Sequence, residues 1–278
     1  MPKLDAIVYS RDATIKAVRD YYAFLTTMYL NEDAIATPPE EGWPSISGAD
    51  RSRLAELGKS DEVLSLLAHL PYLRSDGDQN YLAHGTFDSY FADWREMIGG
   101  LVEGKSTGDG LKMITEKYYL YDISPPHIIS LTTGSYDVPL FVLDTKFGVI
   151  SWPNCPDGIR DNPSREPIED DTYEYAPRNG TERDDWRHDR QTWAIADFFE
   201  VLKDQFRTLQ FVPISPYTVS GVYYLWTQQL EDMLSMVREI YQEHGWPDPD
   251  RYRKRECLDA IQKALEEKYP DEADFVRD

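Results

Sequence analysis

The sequence predicts an α+β protein: a single domain, residues 1–278, with a small central sheet covered by N- and C-terminal helices. Three observations lead there. Apolar residues recur at three- and four-residue steps in the first hundred residues and in the last eighty. Three β-rich runs stand close together between residues 127 and 152. The order is helices, a strand group, a long charged loop, then helices again, and this segregation distinguishes α+β from the alternative, a Rossmann-like α/β fold.

The first helix is expected over 12–30. Ile15, Val18, Tyr22, Leu25 and Met28 form one apolar face, and Asp12 can cap the start. The loop TPPEEGWPSISG (37–48) follows, rich in Pro and Gly. Ser60 then offers an N-cap, with Asp61 and Glu62 in a first turn whose dipole favours acids. Leu64, Leu67 and Leu70 line that helix, and Pro71 stops it. A further helix is expected over 88–103, with Phe91, Trp94 and Ile98 on one face, before a glycine-rich break at Gly104 to Gly110.

HIISLT (127–132), VPLFVLD (138–144) and FGVISW (147–152) read as strands, the last two joined as a hairpin through Thr145 and Lys146. Their apolar runs imply a sheet covered on both faces. From 153 to 190 the chain is irregular; residues 157–190 alone carry eleven acids and six arginines, a composition that builds no core. Helix resumes near 197, where Asp197 and Glu200 have capping-box spacing and Phe198, Leu202, Phe206 and Leu209 make the apolar stripe. FVPI (211–214) reads as another strand, and helices at about 223–243 and 250–268 finish the chain.

Composition narrows the function. Hydrophobic residues at 41% make a globular chain, and a net charge of −21 opposes nonspecific attraction to DNA or to an anionic membrane. The start has neither an apolar h-region nor an Arg/Ser-rich transit pattern, and no stretch approaches the roughly 18 apolar residues of a spanning helix, so a cytoplasmic protein is expected. Two cysteines far apart, Cys155 and Cys257, make no disulfide framework. Five scattered histidines contain no metal-binding pair, so no metal site is expected, and only His188 lies in the charged loop. No P-loop, nucleophile elbow or dinucleotide fingerprint occurs, and no cofactor is implied.

One short stretch carries chemistry. In IEDDTYEY (168–175), four acids fall within six positions. On a helical turn Asp170 and Glu174 lie four apart and Asp171 and Glu174 three apart, so their carboxylates converge. Converging carboxylates raise one another's pKa, and they suit a divalent cation or a guanidinium. The same spacing also describes a solvated acidic loop. A second feature is Arg251-Tyr252-Arg253-Lys254-Arg255, four cations around an aromatic. This is either a phosphate-binding patch or the start of a surface helix whose cations face Glu256, Asp259, Glu266 and Glu267.

With its D-D-x-x-E motif at Asp170, Asp171 and Glu174, the chain resembles the fungal arginine-containing cyclodipeptide synthases, which require that motif. The resemblance implies an enzyme that takes arginine from arginyl-tRNA and a second residue from another aminoacyl-tRNA to make a cyclic dipeptide. It implies Asp170, Asp171 and Glu174 as catalytic residues, with Arg251, Arg253, Lys254 and Arg255 as the best contacts for tRNA phosphates. Arg178, Arg183, Arg187 and Arg190 flank the motif as a second contact or as counter-charges. A looser similarity joins LDTKFGVISW and WAIADFFEVLKDQF to SMI1/KNR4-type domains, which bind partners and catalyse nothing. The two implications differ at one place: a synthase needs an enclosed acidic cavity at residues 170–174, a binding module does not.

Overall fold

The computed structural model describes residues 2–76, 81–120, 124–134, 138–170, 190–223 and 225–271. Its helices are α1 (Arg11–Met28), α2 (Pro44–Ser47), α3 (Arg51–Leu54), α4 (Asp61–His69), α5 (Trp94–Val102), α6 (Gly108–Leu120), α7 (Asp157–Arg160), α8 (Ile195–Arg207), α9 (Gln228–Glu243) and α10 (Lys254–Lys268). Small antiparallel sheets stand beside them, so the class is α+β, as the sequence implies.

The chain packs as two compact units, each assembled from separate segments. The first takes residues 1–19, 37–72 and 91–201; the second takes 20–36, 73–90 and 202–278.

The first unit is built on a four-stranded sheet. Its order is Gln191–Ala194, Val149–Trp152, Val142–Asp144, Ile128–Ser130, with every neighbour antiparallel. The expected hairpin is present, with Val149 opposite Asp144 and Ser151 opposite Val142. Its connection is held by Asp144, whose Oδ1 accepts the N–H groups of Lys146 at 2.8 Å and Phe147 at 3.1 Å. Gly148 closes the turn with φ at +71°, and a side chain there would meet Tyr9 N at 2.9 Å. Phe198 of α8 packs its ring 4.8 Å from Phe141 and 6.3 Å from Trp152, both fully buried. That aromatic layer explains why the strands read as unbroken apolar runs.

Three indoles of this unit lock loops to it by donating to backbone carbonyls: Trp43 to Leu70, Trp94 to Ser130 and Trp193 to Arg165. A buried tryptophan needs such a partner for its N–H. The N-terminal caps of α4 and α5 are Ser60, which accepts from Val63 N, and Asp93, which accepts from Glu96 N.

The second unit centres on Phe206. The ring of Tyr29 stacks on it at 5.8 Å, Phe24 meets it edge-on at 6.3 Å, and the Trp246 indole donates to its carbonyl. The hydroxyl of Tyr21 donates to Gly85 O. Strands Phe211–Pro213 and Val219–Gly221 pair antiparallel, and Phe87 lies against Phe211 at 4.8 Å. Helices α9 and α10 flank the turn HGWPDPD.

Several local expectations change: the loop 37–48 holds α2, the stretch after 153 holds α7, and the helix expected from about 223 starts at Gln228. The cap of α1 is Ser10, whose Oγ accepts from Ala13 N at 3.3 Å; Asp12 lies within the first turn. The helix expected from 88 begins at Trp94, because Ser89–Phe91 is extended. The glycine-rich break contains the start of α6, for which Thr107 Oγ1 accepts from Gly110 N. Helix α8 begins at Ile195, so Asp197 sits inside its first turn instead of ahead of it, directly after the strand Gln191–Ala194.

Candidate functional site

Of the D-D-x-x-E motif, Asp170 lies within the described residues, while Asp171 and Glu174 lie outside them. The segment leading to Asp170 is tightly placed. Ile168 N donates to Thr192 O on the edge strand of the four-stranded sheet, and Glu169 N donates to Pro2 O. Ile168 is buried with Leu4 and Val149, against Ile7 and Phe147. The Asp170 carboxylate then accepts the backbone N–H of Leu4 at 2.5 Å. A hydrogen bond from a backbone amide to a carboxyl oxygen gives Asp170 a defined position. Arg178, Arg183, Arg187 and His188 also lie outside the described residues. Arg190 is described, and its guanidinium donates to Pro153 O at 2.9 Å.

The basic run is divided by its own hydrogen bonds. Arg253 pairs with Glu256 at 2.8 Å and also reaches Glu243 O. Lys254 turns inward: its Nζ donates to Thr26 O and Leu30 O, each at 2.7 Å, at the end of α1. Burial pushes the Lys254 ammonium below its ordinary pKa. Tyr252 reaches the same helix end, donating to Met28 O. Arg251 and Arg255 are exposed, and neither side chain has an ion-pair partner among the described residues. Two of the four cations are therefore free to meet phosphate, and the other two hold structure.

Both thiols are pushed up by burial, Cys257 to about 12 and Cys155 further, so neither is poised as a thiolate nucleophile. The sequence gives no signal for a third cluster. Lys59 and Glu116 form an ion pair with side chains 1% and 0% exposed, and Ser124 Oγ accepts from Lys59 Nζ at 2.7 Å. Burial lowers the Lys59 pKa and raises that of Glu116. The second carboxylate oxygen of Glu116, Oε2, is buried without a hydrogen-bond partner. These residues come from the turn before α4, from α6 and from the segment after α6, elements whose proximity no periodicity announces.

Among the described residues no helix is long and apolar enough to cross a membrane, and no group of three His, Cys, Asp or Glu side chains could hold a metal ion. Comparison of the chain with protein families, with curated proteins and with solved structures finds no match.

Proposed function

We propose that this chain is a tRNA-dependent cyclodipeptide synthase that condenses arginine from arginyl-tRNA with a second aminoacyl-tRNA to a cyclo-Arg-X diketopiperazine, in the cytoplasm. The reading is carried by the D-D-x-x-E motif, and it gains support from the hydrogen bond of Leu4 N to Asp170, which gives the first acid of the motif a defined place.

The chemistry asks little beyond positioned carboxylates. An aminoacyl-tRNA is an activated ester, so no ATP is consumed. The α-amine of one aminoacyl group attacks the ester carbon of the other, releasing one tRNA 3′-hydroxyl and leaving a dipeptidyl-tRNA. The free α-amine of that dipeptide attacks its own ester, closes the six-membered ring and releases the second tRNA. Each attack needs a neutral amine, and a carboxylate can take its proton. A second carboxylate can hold the arginine guanidinium in a two-pronged contact.

Expression in a bacterial host tests the proposal, with extracts searched by mass for Arg-containing diketopiperazines. Product from the wild-type chain that vanishes with Asp171→Asn and Glu174→Gln is the expected result. Soluble protein without product overturns the reading and favours a partner-binding module of the SMI1/KNR4 type.

A further inference from the structure

Helices α2, α3 and α4 and their connecting turns surround a cavity of about 550 Å³ in the first unit. We infer that this cavity binds a small neutral zwitterion of the aliphatic α-amino-acid class. The inference stands apart from the synthase reading and does not depend on it.

The charges of the lining balance. Arg51 and Asp61 both border the cavity, with Nη1 and Oδ1 3.5 Å apart and side chains 87% and 86% exposed. So loose and solvated a pair contributes little, and a ligand can part it at small cost. The guanidinium offers a two-pronged site for a carboxylate, and the Asp61 carboxylate accepts from an ammonium. Lys59 also borders the cavity, but its ammonium is matched by the buried Glu116 carboxylate and by Ser124. Arg11, which reaches Ser65 of the lining, is paired with Asp12 at 3.6 Å, so one open cation, one open anion and two matched pairs leave no net charge for an ionic ligand to neutralise.

Two further polar side chains, Ser65 and His69, border the cavity. Ser65 Oγ accepts from Arg11 Nη1 at 2.6 Å, so its own hydroxyl proton remains to be donated. His69 Nδ1 lies 2.8 Å from Ser65 O. A carbonyl can only accept, so Nδ1 is the donor of that bond, which holds the ring in place at the cavity wall. The remaining walls are aliphatic, with Ile46, Leu54, Leu64 and Ala68 among them. A volume of this size is within the range of small-ligand sites, about 300–1,000 Å³. A branched aliphatic side chain against those walls, with its carboxylate at Arg51 and its ammonium at Asp61, matches the two open charges and the apolar walls of the lining. Arginine or glutamate would bring a charge that the lining does not match.

Calorimetric titration of the full chain tests this. L-Leucine is compared with L-arginine, L-glutamate, leucinol (no carboxylate) and 4-methylpentanoate (no ammonium). Saturable leucine binding is expected, with each of the other four weaker by about tenfold or more. Arg51→Met and Asp61→Asn alter exposed side chains that the fold does not need, and each should weaken leucine by about the same factor. Circular dichroism of both variants verifies that they are folded. The inference is overturned by no saturable leucine binding up to about 10 mM, by leucine binding that survives either substitution, or by arginine or glutamate binding as well as leucine.

Discussion

The carboxylate of Asp170 accepts the backbone N–H of Leu4 at 2.5 Å, joining two residues 166 positions apart. The first acid of the motif therefore has a structural duty in addition to the catalytic one proposed for it, and substitutions can separate the two. Asp170→Ala removes the acceptor and should cost about 1–3 kcal/mol. In a domain of 150–250 residues each kcal/mol corresponds to a fall in Tm of about 2–4 °C, which a thermal melt detects. Asp170→Asn keeps a carbonyl acceptor and should lose less than half as much. If Asp170→Asn melts near the wild-type temperature yet makes no diketopiperazine, the carboxylate charge is needed for chemistry. Retained product in Asp170→Asn limits this residue to holding the N-terminal segment.

Lys59 and Glu116 make the second prediction. Lys59→Met strands a buried carboxylate and should cost about 3–5 kcal/mol, whereas the double variant Lys59→Met/Glu116→Leu should recover most of that loss. Denaturant unfolding measures both. The single variant also carries a pH signature. Burial raises the folded pKa of Glu116 above its ordinary value near 4.5. From that value up to the folded pKa, the native state binds more protons than the unfolded one, so stability falls as pH rises through the window. Without Lys59 the window widens upward. The deficit of Lys59→Met relative to wild type should shrink between pH 7.5 and pH 5; a deficit independent of pH would show that Glu116 is not the group responsible.

The basic run divides into two tests. Lys254→Met deletes two bonds to the end of α1 from a half-exposed ammonium, and should lower stability by about 1–2 kcal/mol, seen in a thermal melt. Arg251→Glu/Arg255→Glu should leave the melt unchanged. If these arginines meet tRNA phosphates, that double variant should weaken every tRNA alike. It should also flatten the slope of log affinity against log salt by about 1.4–1.8, the share of two phosphate contacts. The overall charge of −21 acts in the opposite sense, since bare repulsion is relieved by salt. Binding that strengthens with added salt, or that ignores the two reversals, removes this patch from tRNA recognition.

Gly245, in the turn between α9 and α10, has φ at +98°, and a side chain there would meet Arg251 O at 2.5 Å. Gly245→Ala combines a left-handed backbone with a contact to a carbonyl that cannot swing away. It should cost more than about 1 kcal/mol and should displace Arg251 together with the turn. Chemical denaturation of the variant measures this, and an unchanged midpoint would mean the turn relaxes freely.

Much of the fold can be read from the chain because its signals are local. The stripe of Ile15, Val18, Leu25 and Met28 reports α1, Ser60 reports the start of α4, and the apolar runs around Thr145 report the hairpin. Where contacts between distant segments decide, the reading fails. Gly108 and Gly110 look like punctuation, yet Gly108 opens a helix, and it is glycine because a side chain there would strike Glu56 O at 2.3 Å. The strand Gln191–Ala194 is polar at its start and is recognised only through its partner Val149–Trp152. At the candidate site, sequence spacing singles out Asp170 but cannot show its bond to Leu4. Lys254 looks like any other cation of its run until its two carbonyl partners are seen.

The two units are each threaded from three stretches of chain: 1–19, 37–72 and 91–201 in one, 20–36, 73–90 and 202–278 in the other. During synthesis the ribosome delivers every segment of the first unit once residue 201 has emerged, whereas the second still awaits α9 and α10. Until then Tyr29, Trp246 and Phe206 cannot all meet, and the apolar face of α1 that will bury Tyr21, Leu25 and Met28 has no finished home. A nascent chain stalled short of α10 should therefore be a client for chaperones and an easy target for proteases. For the same reason no single cut can release either unit intact for separate study.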